Sequence, residues 1–168
     1  MIIRTAQPED FAAMWPIFQA VVATGTTYVF APDTSHADAQ AFWLGPGIQC
    51  FVAEGDGRVV GMYKLIANRR DLGSHVANAS FMVDPRYAGR GAGTAMGLHC
   101  LREARRAGFL GMQFNFVVST NQSAVGLWQR IGFSIVGTLP KAFRHRDLGF
   151  VDAYVMFRTL DDVETDEP

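Results

Sequence analysis

Residues 82–97 read MVDPRYAGRGAGTAMG, and they give the clearest local signal in a chain of 168 residues. The pattern predicts an apolar strand that runs into three glycines at alternating positions, Gly89, Gly91 and Gly93, and then into a helix. Glycine tolerates backbone conformations that gather several N–H groups around one anion, and a helix N-terminus attracts negative charge. The segment therefore predicts either a phosphate-binding turn or a tight turn whose glycines only relieve steric crowding.

Two common phosphate-binding loops do not fit this segment. A nucleoside-triphosphate loop, GxxxxGK[ST], needs a lysine that is missing here, and a dinucleotide loop, GxGxxG, needs a third glycine where Thr94 or Met96 stands. What remains is a set of backbone N–H groups, to which Arg90 can add a charge-assisted hydrogen bond. The turn by itself predicts a phosphate group but not the molecule that carries it.

The composition narrows the class of protein. Lys and Arg number 15, Asp and Glu 16, and the formal net charge is −1, so the charge balance does not indicate a nucleic-acid partner. Cys50 and Cys100 lack the spacing of a zinc site, so we expect no metal and no disulfide framework. The N-terminus does not resemble a leader, and no apolar run reaches the ~18 residues of a membrane span. We therefore expect a cytoplasmic protein without a membrane partner.

The rest of the chain predicts one domain over residues 1–160, in which strands and helices are mixed. Residues 161–168, DDVETDEP, form an acidic tail that we expect to fray. In the helix after the glycines, Leu98, Leu101 and Ala104 are expected to face the core. Strands are predicted at 1–6, on both sides of Gly55-Asp56-Gly57, and at 75–83, 112–118, 133–140 and 150–160, and helices at 8–22, 36–44, 91–107 and after an N-cap at Asn121.

A second motif identifies the phosphate. The stretch NQSAVGLWQRIGF at residues 121–133, together with VDPRYAGRGAG at residues 83–93, resembles the GNAT superfamily of N-acetyltransferases. That family pattern is a strand, V-x-P, a Q/R-x-x-G-x-G/A loop and helix, then a strand leading to N-x-x-A-x-x-L-Y-x-x-x-G-F. The resemblance implies an α/β fold with a mixed, mostly antiparallel sheet of seven strands, splayed between strands 4 and 5 and flanked by about four helices. It also implies acetyl-CoA as the co-substrate, whose diphosphate is the anion.

The resemblance assigns the coenzyme-binding groups residue by residue. It implies that backbone groups at the end of the fourth strand pair with the pantetheine arm, that the glycine turn binds the diphosphate, and that an asparagine near the pantetheine completes the site. The residues implied are Phe81, Met82 and Val83 on the strand, Gly89, Arg90, Gly91, Ala92, Gly93 and Thr94 in the turn, and Asn121 and Trp128 beyond it.

Two departures from the family pattern concern the chemistry. Ala88 stands at the Q/R position, and Trp128 stands where the family tyrosine often protonates the leaving thiolate, although an indole N–H is no useful acid. The fourth strand also lacks a carboxylate, so we expect a base that acts through water or an amine that binds neutral. A backbone N–H of Met82 or Val83 is expected to stabilise the oxyanion, and Val83 is the choice. Asn78 and Asn115 are expected to orient the nucleophile, or else merely to cap backbone groups.

Residues that bind the amine acceptor are predicted in the connection between the first two helices and in a basic segment near the end of the chain. Tyr28 and Phe30 are expected to give an apolar wall, and Arg144 is expected to meet an acidic group from a loop at residues 140–149. GTLPKAFRHRDLGFVDAYVMFRTL, residues 137–160, is similar to the branch that acetylates azetidine-2-carboxylate and related antimetabolites. We therefore expect a small amine acceptor such as an amino acid, an imino acid or a toxic analogue.

Two other functions stay open. One is acetylation of a protein N-terminus or lysine, which needs an open groove for a peptide. The other is a non-catalytic acyl-CoA-binding sensor, which the missing tyrosine and carboxylate would permit. The resemblance also makes a homodimer possible, for which FVDAYVMFRTL at residues 150–160 could supply a strand edge.

Overall fold

The computed structural model describes residues 1–165. Seven strands and four α-helices occur in this range, as the sequence predicted, with bounds that mostly differ by one or two residues. The elements are β1 (Ile2–Thr5), α1 (Phe11–Val22), α2 (His36–Leu44), β2 (Gln49–Gly55), β3 (Arg58–Ala67), β4 (Val76–Val83), α3 (Ala92–Arg106), β5 (Gly111–Val118), α4 (Gln122–Arg130), β6 (Ser134–His145) and β7 (Gly149–Thr159).

The seven strands form one sheet in the order β1-β2-β3-β4-β5-β7-β6. Neighbouring strands are antiparallel except β4 and β5, which are parallel. That pair is short: Val76 lies beside Gly111 and Ala77 beside Met112, and beyond them the two strands separate. The predicted mixed sheet that splays between strands 4 and 5 is therefore confirmed. The separation leaves the rest of β4 with one unpaired edge.

The helices cover the two faces of the sheet. Helices α3 and α4 pack on one face, in a core that includes Met112, Phe114 and Trp128, and α1 and α2 pack on the other, in a core that includes Met62 and Met82. In α3 the predicted inward positions are right for two residues and wrong for the third. Leu101 and Ala104 are buried, but Leu98 is 43% exposed because it lies on the side of α3 away from the sheet.

The last hairpin differs from the expected loop at 140–149. Strand β6 continues to His145, and the turn before β7 contains residues 146–148 only. Pairs such as Arg144 with Phe150 extend the ladder. A strand of 12 residues that is largely exposed at the edge of a sheet has little apolar periodicity, so its far half resembled a basic loop.

The end of the chain returns to the core over the described residues. Arg158 donates a hydrogen bond to Asp162, and Val163 packs against the core under α3 and α4. Residues 166–168 of the acidic tail lie outside the described range. Within residues 1–165, no helix is both long enough and apolar enough to cross a membrane.

Candidate functional site

A cleft opens where β4 and β5 separate, and it encloses a cavity of about 240 Å³. The connection between α1 and α2 lies over it, and α4 lies at one side. No Asp, Glu, Lys, Arg or His is among the described residues that line the cleft. Seven of the residues predicted from sequence meet here: Tyr28, Phe30, Asn78, Phe81, Asn115, Asn121 and Trp128.

The pairing of β3 with β4 decides which backbone groups of β4 face the cleft. Asn68 donates its N–H to the carbonyl of Val76, and Asp84 donates its N–H to the carbonyl of Val60, so even-numbered residues of β4 bond to β3. Odd-numbered residues, Phe81 among them, therefore present their N–H and C=O to the cleft. The expectation fits Phe81 and Val83, but it is wrong for Met82, whose backbone groups face β3 and whose side chain is buried under α1.

Tyr28 holds the backbone of Phe81 in this structure. Its hydroxyl donates to the Phe81 carbonyl at 2.6 Å and accepts from the Phe81 N–H at 3.0 Å. The Tyr28 hydroxyl thus bonds to the two backbone groups of Phe81 that a neighbouring strand would otherwise pair with. Burial raises the pKa of the Tyr28 hydroxyl well above its usual value, so it stays protonated and able to donate.

The glycine turn has the backbone conformation that its sequence requires. Gly89 has φ 77° and Gly91 has φ 83°, and a Cβ on either would point into open space. Gly91 is the N-cap of α3 and offers no side-chain cap, so N–H groups of the first turn remain available to an anion. Gly93 has another role, because a Cβ there would lie 3.3 Å from Leu127 of α4.

The other residues of the turn differ in exposure. Thr94 is exposed beside the turn, whereas Ala92 is buried in the core beneath α3. Arg90 is exposed and pairs with Asp56 at 3.1 Å, and its guanidinium lies 4.9 Å from the ring centroid of Tyr87. The turn therefore offers backbone N–H groups, with the guanidinium of Arg90 at the surface beside them.

Asp84 anchors the start of this turn, and sequence reasoning missed it. Its carboxylate, 2% exposed, accepts from Arg58 at 2.7 Å, from Arg86 at 2.9 and 3.0 Å, and from the backbone N–H of Arg86 at 2.9 Å. The Arg86 guanidinium, with that of Arg58, holds the pKa of this carboxyl far below its usual range. The signal in the sequence was Asp-Pro after a strand, which favours a capped turn.

Asn115 lines the cleft, and it is hydrogen-bonded to two amides that do not line it. Gln113 Nε2 donates to Asn115 Oδ1 at 2.8 Å, and Asn115 Nδ2 donates to Asn68 Oδ1 at 2.6 Å. Asn78 lines the same cleft, and its side chain makes no hydrogen bond to another residue within 1–165. Asn68 and Gln113 were not anticipated, because nothing local in the sequence links them to Asn115.

Asn121 and Trp128 close the side of the cleft formed by α4. Asn121 is the predicted N-cap, and its side chain accepts from the N–H of Ala124 at 3.2 Å. Trp128 is buried against Phe81 and Phe114, with ring centroids 4.8 and 4.7 Å apart. Both residues are held firmly by packing or capping, so their positions in the cleft are well defined.

Two residues with predicted roles at the acceptor or the thioester, Arg144 and Val83, are not among those that line the cleft. Arg144 is exposed on β6. Val83 lies further along the open edge of β4, next to the turn. Among residues 1–165, no three His, Cys, Asp or Glu side chains are grouped so that they could hold a metal ion.

A splayed sheet with an open β4 edge and a glycine turn at its end is the arrangement that the sequence motifs implied. Residues 13–133 match the family described as Acetyltransferase (GNAT) family. The chain belongs to the GNAT family. The seven-stranded fold and the position of both motifs agree with that membership.

Other GNAT proteins are similar to this chain over most of its length. It is 31% identical to the L-amino acid N-acetyltransferase AaaT of Escherichia coli, over 94% of this chain and 97% of that protein. It is 32% identical to the N-acetyltransferase aca1 of Schizosaccharomyces pombe, but over 62% of this chain and only 52% of that longer protein.

Solved structures agree on the fold. A GCN5-related N-acetyltransferase from Kribbella flavida superposes with a TM-score of 0.89 and 40% identity, covering 94% of this chain and 96% of its own. A phosphinothricin acetyltransferase from Sinorhizobium meliloti in complex with AcCoA superposes with a TM-score of 0.85 at 21% identity, covering 99% of this chain and 92% of its own.

Proposed function

We propose that this chain transfers the acetyl group of acetyl-CoA to the amine of a small molecule. The observation that carries the proposal is the open edge of β4, whose odd-numbered residues face a cleft that ends at the glycine turn. An extended chain with two amides, such as pantetheine, binds a strand edge as an added strand does. Membership of the GNAT family and the acetyl-CoA complex of a similar fold support the same coenzyme.

The glycine turn and the β4 edge fit the two ends of the coenzyme. Gly89 and Gly91 leave their backbone unshielded beside the N-terminus of α3, which suits a diphosphate. Along β4, the N–H of Val83 and, once Tyr28 has released it, the N–H of Phe81 are donors for the coenzyme amides and for the thioester oxygen. A donor of this kind contributes about 10²- to 10³-fold to the rate when it binds an oxyanion.

In the proposed reaction, the amine nitrogen forms a bond to the thioester carbon and the C–S bond then breaks. An ammonium acceptor loses a first proton before it attacks. Its nitrogen loses a second proton as the C–S bond breaks, and this second proton reaches the departing thiolate through water. An alkylammonium has a pKa near ~10, and the cleft residues include no ionisable group except the Tyr28 phenol, so the amine gives its proton to water. Orientation within the cleft, by Asn78 and Asn115, contributes the remaining catalysis.

The cleft favours a small acceptor. Aromatic rings of Tyr28, Phe30 and Phe42 form one wall, and the amide side chains form the floor. Residues 27–30 of the α1–α2 connection line the cleft, which leaves little room for a peptide. An amino acid or imino acid has the matching apolar body and polar end, and AaaT is named for L-amino acids.

The test is release of free thiol from acetyl-CoA by the purified chain. The acceptor panel contains free L-amino acids, proline, azetidine-2-carboxylate, and short peptides with a free N-terminus or lysine. We expect turnover with amino or imino acids and with none of the peptides. Turnover with peptides only would favour the protein acetyltransferase, and tight acetyl-CoA binding without any turnover would favour the sensor. Unchanged kcat/KM in Asn115→Ala would remove Asn115 from the proposal.

A further inference from the structure

A buried lysine lies behind the aromatic wall of the cleft. Lys64 is on β3, and like Met62 it points to the face of the sheet that α1 and α2 cover. Only 6% of its surface is exposed. Its ammonium donates a hydrogen bond to the carbonyl of Phe42 at 2.9 Å and lies 3.2 Å from the centroid of the Phe42 ring. Both of these contacts are with one residue of α2.

The charge of Lys64 is not needed to fill this space. Within residues 1–165 the ammonium forms no ion pair with a carboxylate. Its neighbours on the flanking strands are Ser80 and Cys50, a thiol that stays neutral because burial raises its pKa to about 12. An apolar side chain of similar length would pack here without the cost of burying a charge. What the ammonium adds is its attraction to the Phe42 ring, which is strongest where water is excluded.

Phe42 lies at the margin of the core, where its ring also borders the cleft. In α2, Ala39 and Trp43 are buried, whereas Phe42 is half-buried and lines the cleft. Its ring meets that of Phe30, another residue of the cleft wall, with centroids 4.8 Å apart and planes at 83°. A half-buried ring beside a cavity has room to change rotamer. The ammonium favours the rotamer that turns the face of the ring towards Lys64.

We propose that Lys64 is a positioning residue for the amine acceptor, and that it holds the ring of Phe42 as the wall against which the apolar body of the acceptor packs. Lys64 does not line the cleft, and it acts through Phe42, which does. The inference rests on the proposed function and deepens it, because it names the group that fixes the acceptor wall. It also gives a buried cation without an anionic partner a role in acceptor binding.

The experiment is a double-mutant cycle between Lys64 and Phe42. Lys64→Met removes the charge and keeps a side chain of similar length, Phe42→Leu removes the ring, and the double variant removes both. Lys64→Arg keeps a cation that can lie over a ring. The chain has one other lysine, Lys141, which is exposed on β6 and does not line the cleft, so Lys141→Met is the matched control.

Each variant is assayed by thiol release at pH 7, where the Lys64 ammonium is mostly charged because its pKa is about 8. The acceptor is the L-amino acid or azetidine-2-carboxylate, whichever of the panel above has the highest kcat/KM with the unaltered chain. The KM for the acceptor and the KM for acetyl-CoA are measured separately.

We expect Lys64→Met to raise the KM for the acceptor about five- to tenfold, while kcat and the KM for acetyl-CoA stay within about twofold. Lys64→Arg should stay within about threefold of the unaltered chain, and Lys141→Met should match it. In the Phe42→Leu background, Lys64→Met should change the KM for the acceptor by less than about twofold, because no ring is left to hold.

Independent effects of the Lys64 and Phe42 substitutions on the KM for the acceptor would overturn the inference, and so would equal effects on the acceptor and on acetyl-CoA. If Lys64→Met does not fold, Lys64→Gln, which also removes the charge, takes its place in the cycle.

A second measurement follows Lys64 directly. Protein labelled with carbon-13 at the lysine Cε atoms has two labelled residues, and Lys64→Met identifies the resonance of Lys64 by its loss. The acceptor is added to the chain saturated with free coenzyme A, so that no acetyl group is transferred. Because the Phe42 ring lies over Lys64, we expect the Lys64 resonance to shift on acceptor binding and that of Lys141 to stay. A stationary Lys64 resonance would overturn the inference.

The outcomes separate this inference from the proposed function. Thiol release by the unaltered chain, with independent effects at Lys64 and Phe42, overturns the inference and leaves the proposed function standing. Absence of thiol release with every amine overturns the proposed function and the inference with it.

Discussion

Lys64 shows how a single buried residue affects this protein. It lies on β3 with 6% of its surface exposed, and its ammonium donates to the carbonyl of Phe42 at 2.9 Å. The same nitrogen is 3.2 Å from the centroid of the Phe42 ring, which is part of the cleft wall. Burial outweighs these contacts and lowers the pKa of Lys64 to about 8.

The low pKa of Lys64 makes stability depend on alkaline pH. The unfolded chain, in which lysine has a pKa near ~10.4, binds more protons than the folded chain between pH ~8 and ~10, so the free energy of unfolding rises with pH there. The gain attributable to Lys64 is about 3 kcal/mol at most. We expect urea unfolding at pH 7 and pH 9.5 to show this gain in the unaltered chain and not in Lys64→Met. Parallel pH dependences would contradict the assignment.

Trp128 occupies the position at which the family pattern has a tyrosine, and it packs against Phe81 and Phe114. Because its N–H is no acid, we expect Trp128→Phe to keep kcat within about threefold and to leave the pH profile of kcat unchanged. Trp128→Ala should lower the free energy of unfolding by about 3–5 kcal/mol, since it empties a buried site. A loss of about 10² or more in kcat for Trp128→Phe would instead assign proton transfer to this residue.

At the scale of elements, two segments adjoin the proposed coenzyme site. The α1–α2 connection reaches the β4 edge through Tyr28, and the glycine turn begins α3 with two left-handed residues. Neither segment contributes a charged side chain to the cleft. They are therefore expected to affect binding through backbone groups: those of Phe81 are hydrogen-bonded to Tyr28, and those of the glycine turn have no side-chain cap.

Tyr28 competes with the proposed coenzyme for the backbone of Phe81. We expect Tyr28→Phe to bind acetyl-CoA more tightly, by about two- to tenfold, because no hydroxyl has to be displaced. The ligand-free variant should also be less stable by about 1 kcal/mol. Isothermal titration and urea unfolding measure the two effects. Unchanged or weaker acetyl-CoA binding would show that the coenzyme does not use the Phe81 backbone.

The two left-handed glycines at the ends of α3 make a matched pair. Gly91 has φ 83° and Gly108 has φ 86°, and a Cβ on either would meet no atom within 4 Å. Alanine at either position should cost about 1 kcal/mol in stability, from backbone strain alone. Only Gly91→Ala should also raise the Kd for acetyl-CoA, because only Gly91 adjoins the proposed diphosphate site. Equal Kd values for the two variants would argue against that site.

At the scale of the whole molecule, the sheet consists of two parts that meet only at the short β4–β5 pair, called the seam below. Strands β1 to β4 and strands β5 to β7 join through a parallel pair only two register positions long, and α3 connects the same two strands along the chain. The coenzyme is proposed to bind at this seam, between the two parts of the sheet. Binding should therefore reduce local opening of β4 and β5 more than that of the outer strands.

Acetyl-CoA at 100 times its Kd should stabilise the fold by about 2.7 kcal/mol, which raises Tm by roughly 5–10 °C for a chain of this size. Hydrogen exchange should slow in β4, β5 and residues 88–96, while the hairpin of β6 and β7 near residues 146–148 should be unaffected. Thermal unfolding and exchange mass spectrometry provide the readouts. Slowing at the outer hairpin, or none at β4, would contradict binding at the seam.

The order of elements, the hairpin at Gly55-Asp56-Gly57, the glycine turn and the Asn121 cap could all be predicted from the sequence. Each depends on residues near one another in the chain, and the hairpin shows the reason: Asp56 and Gly57 have φ 52° and 73°, which their residue types tolerate. The two motifs at their separation were specific enough to indicate the family and with it the splayed sheet. Local chemistry therefore predicted the elements, and the resemblance to the family predicted the splayed sheet and the coenzyme.

Only the tertiary structure decided which groups form the cleft. The register of β3 with β4 turns the backbone of Phe81 to the cleft and that of Met82 away, and a shift of one residue would reverse them. Tyr28 meets Phe81 across 53 residues, and Asn68 meets Asn115 across 47. Such contacts depend on how separate elements pack, and a pattern within one segment contains no information about them. The sequence by itself determined the framework of this protein, and packing between distant segments decided the groups available for chemistry.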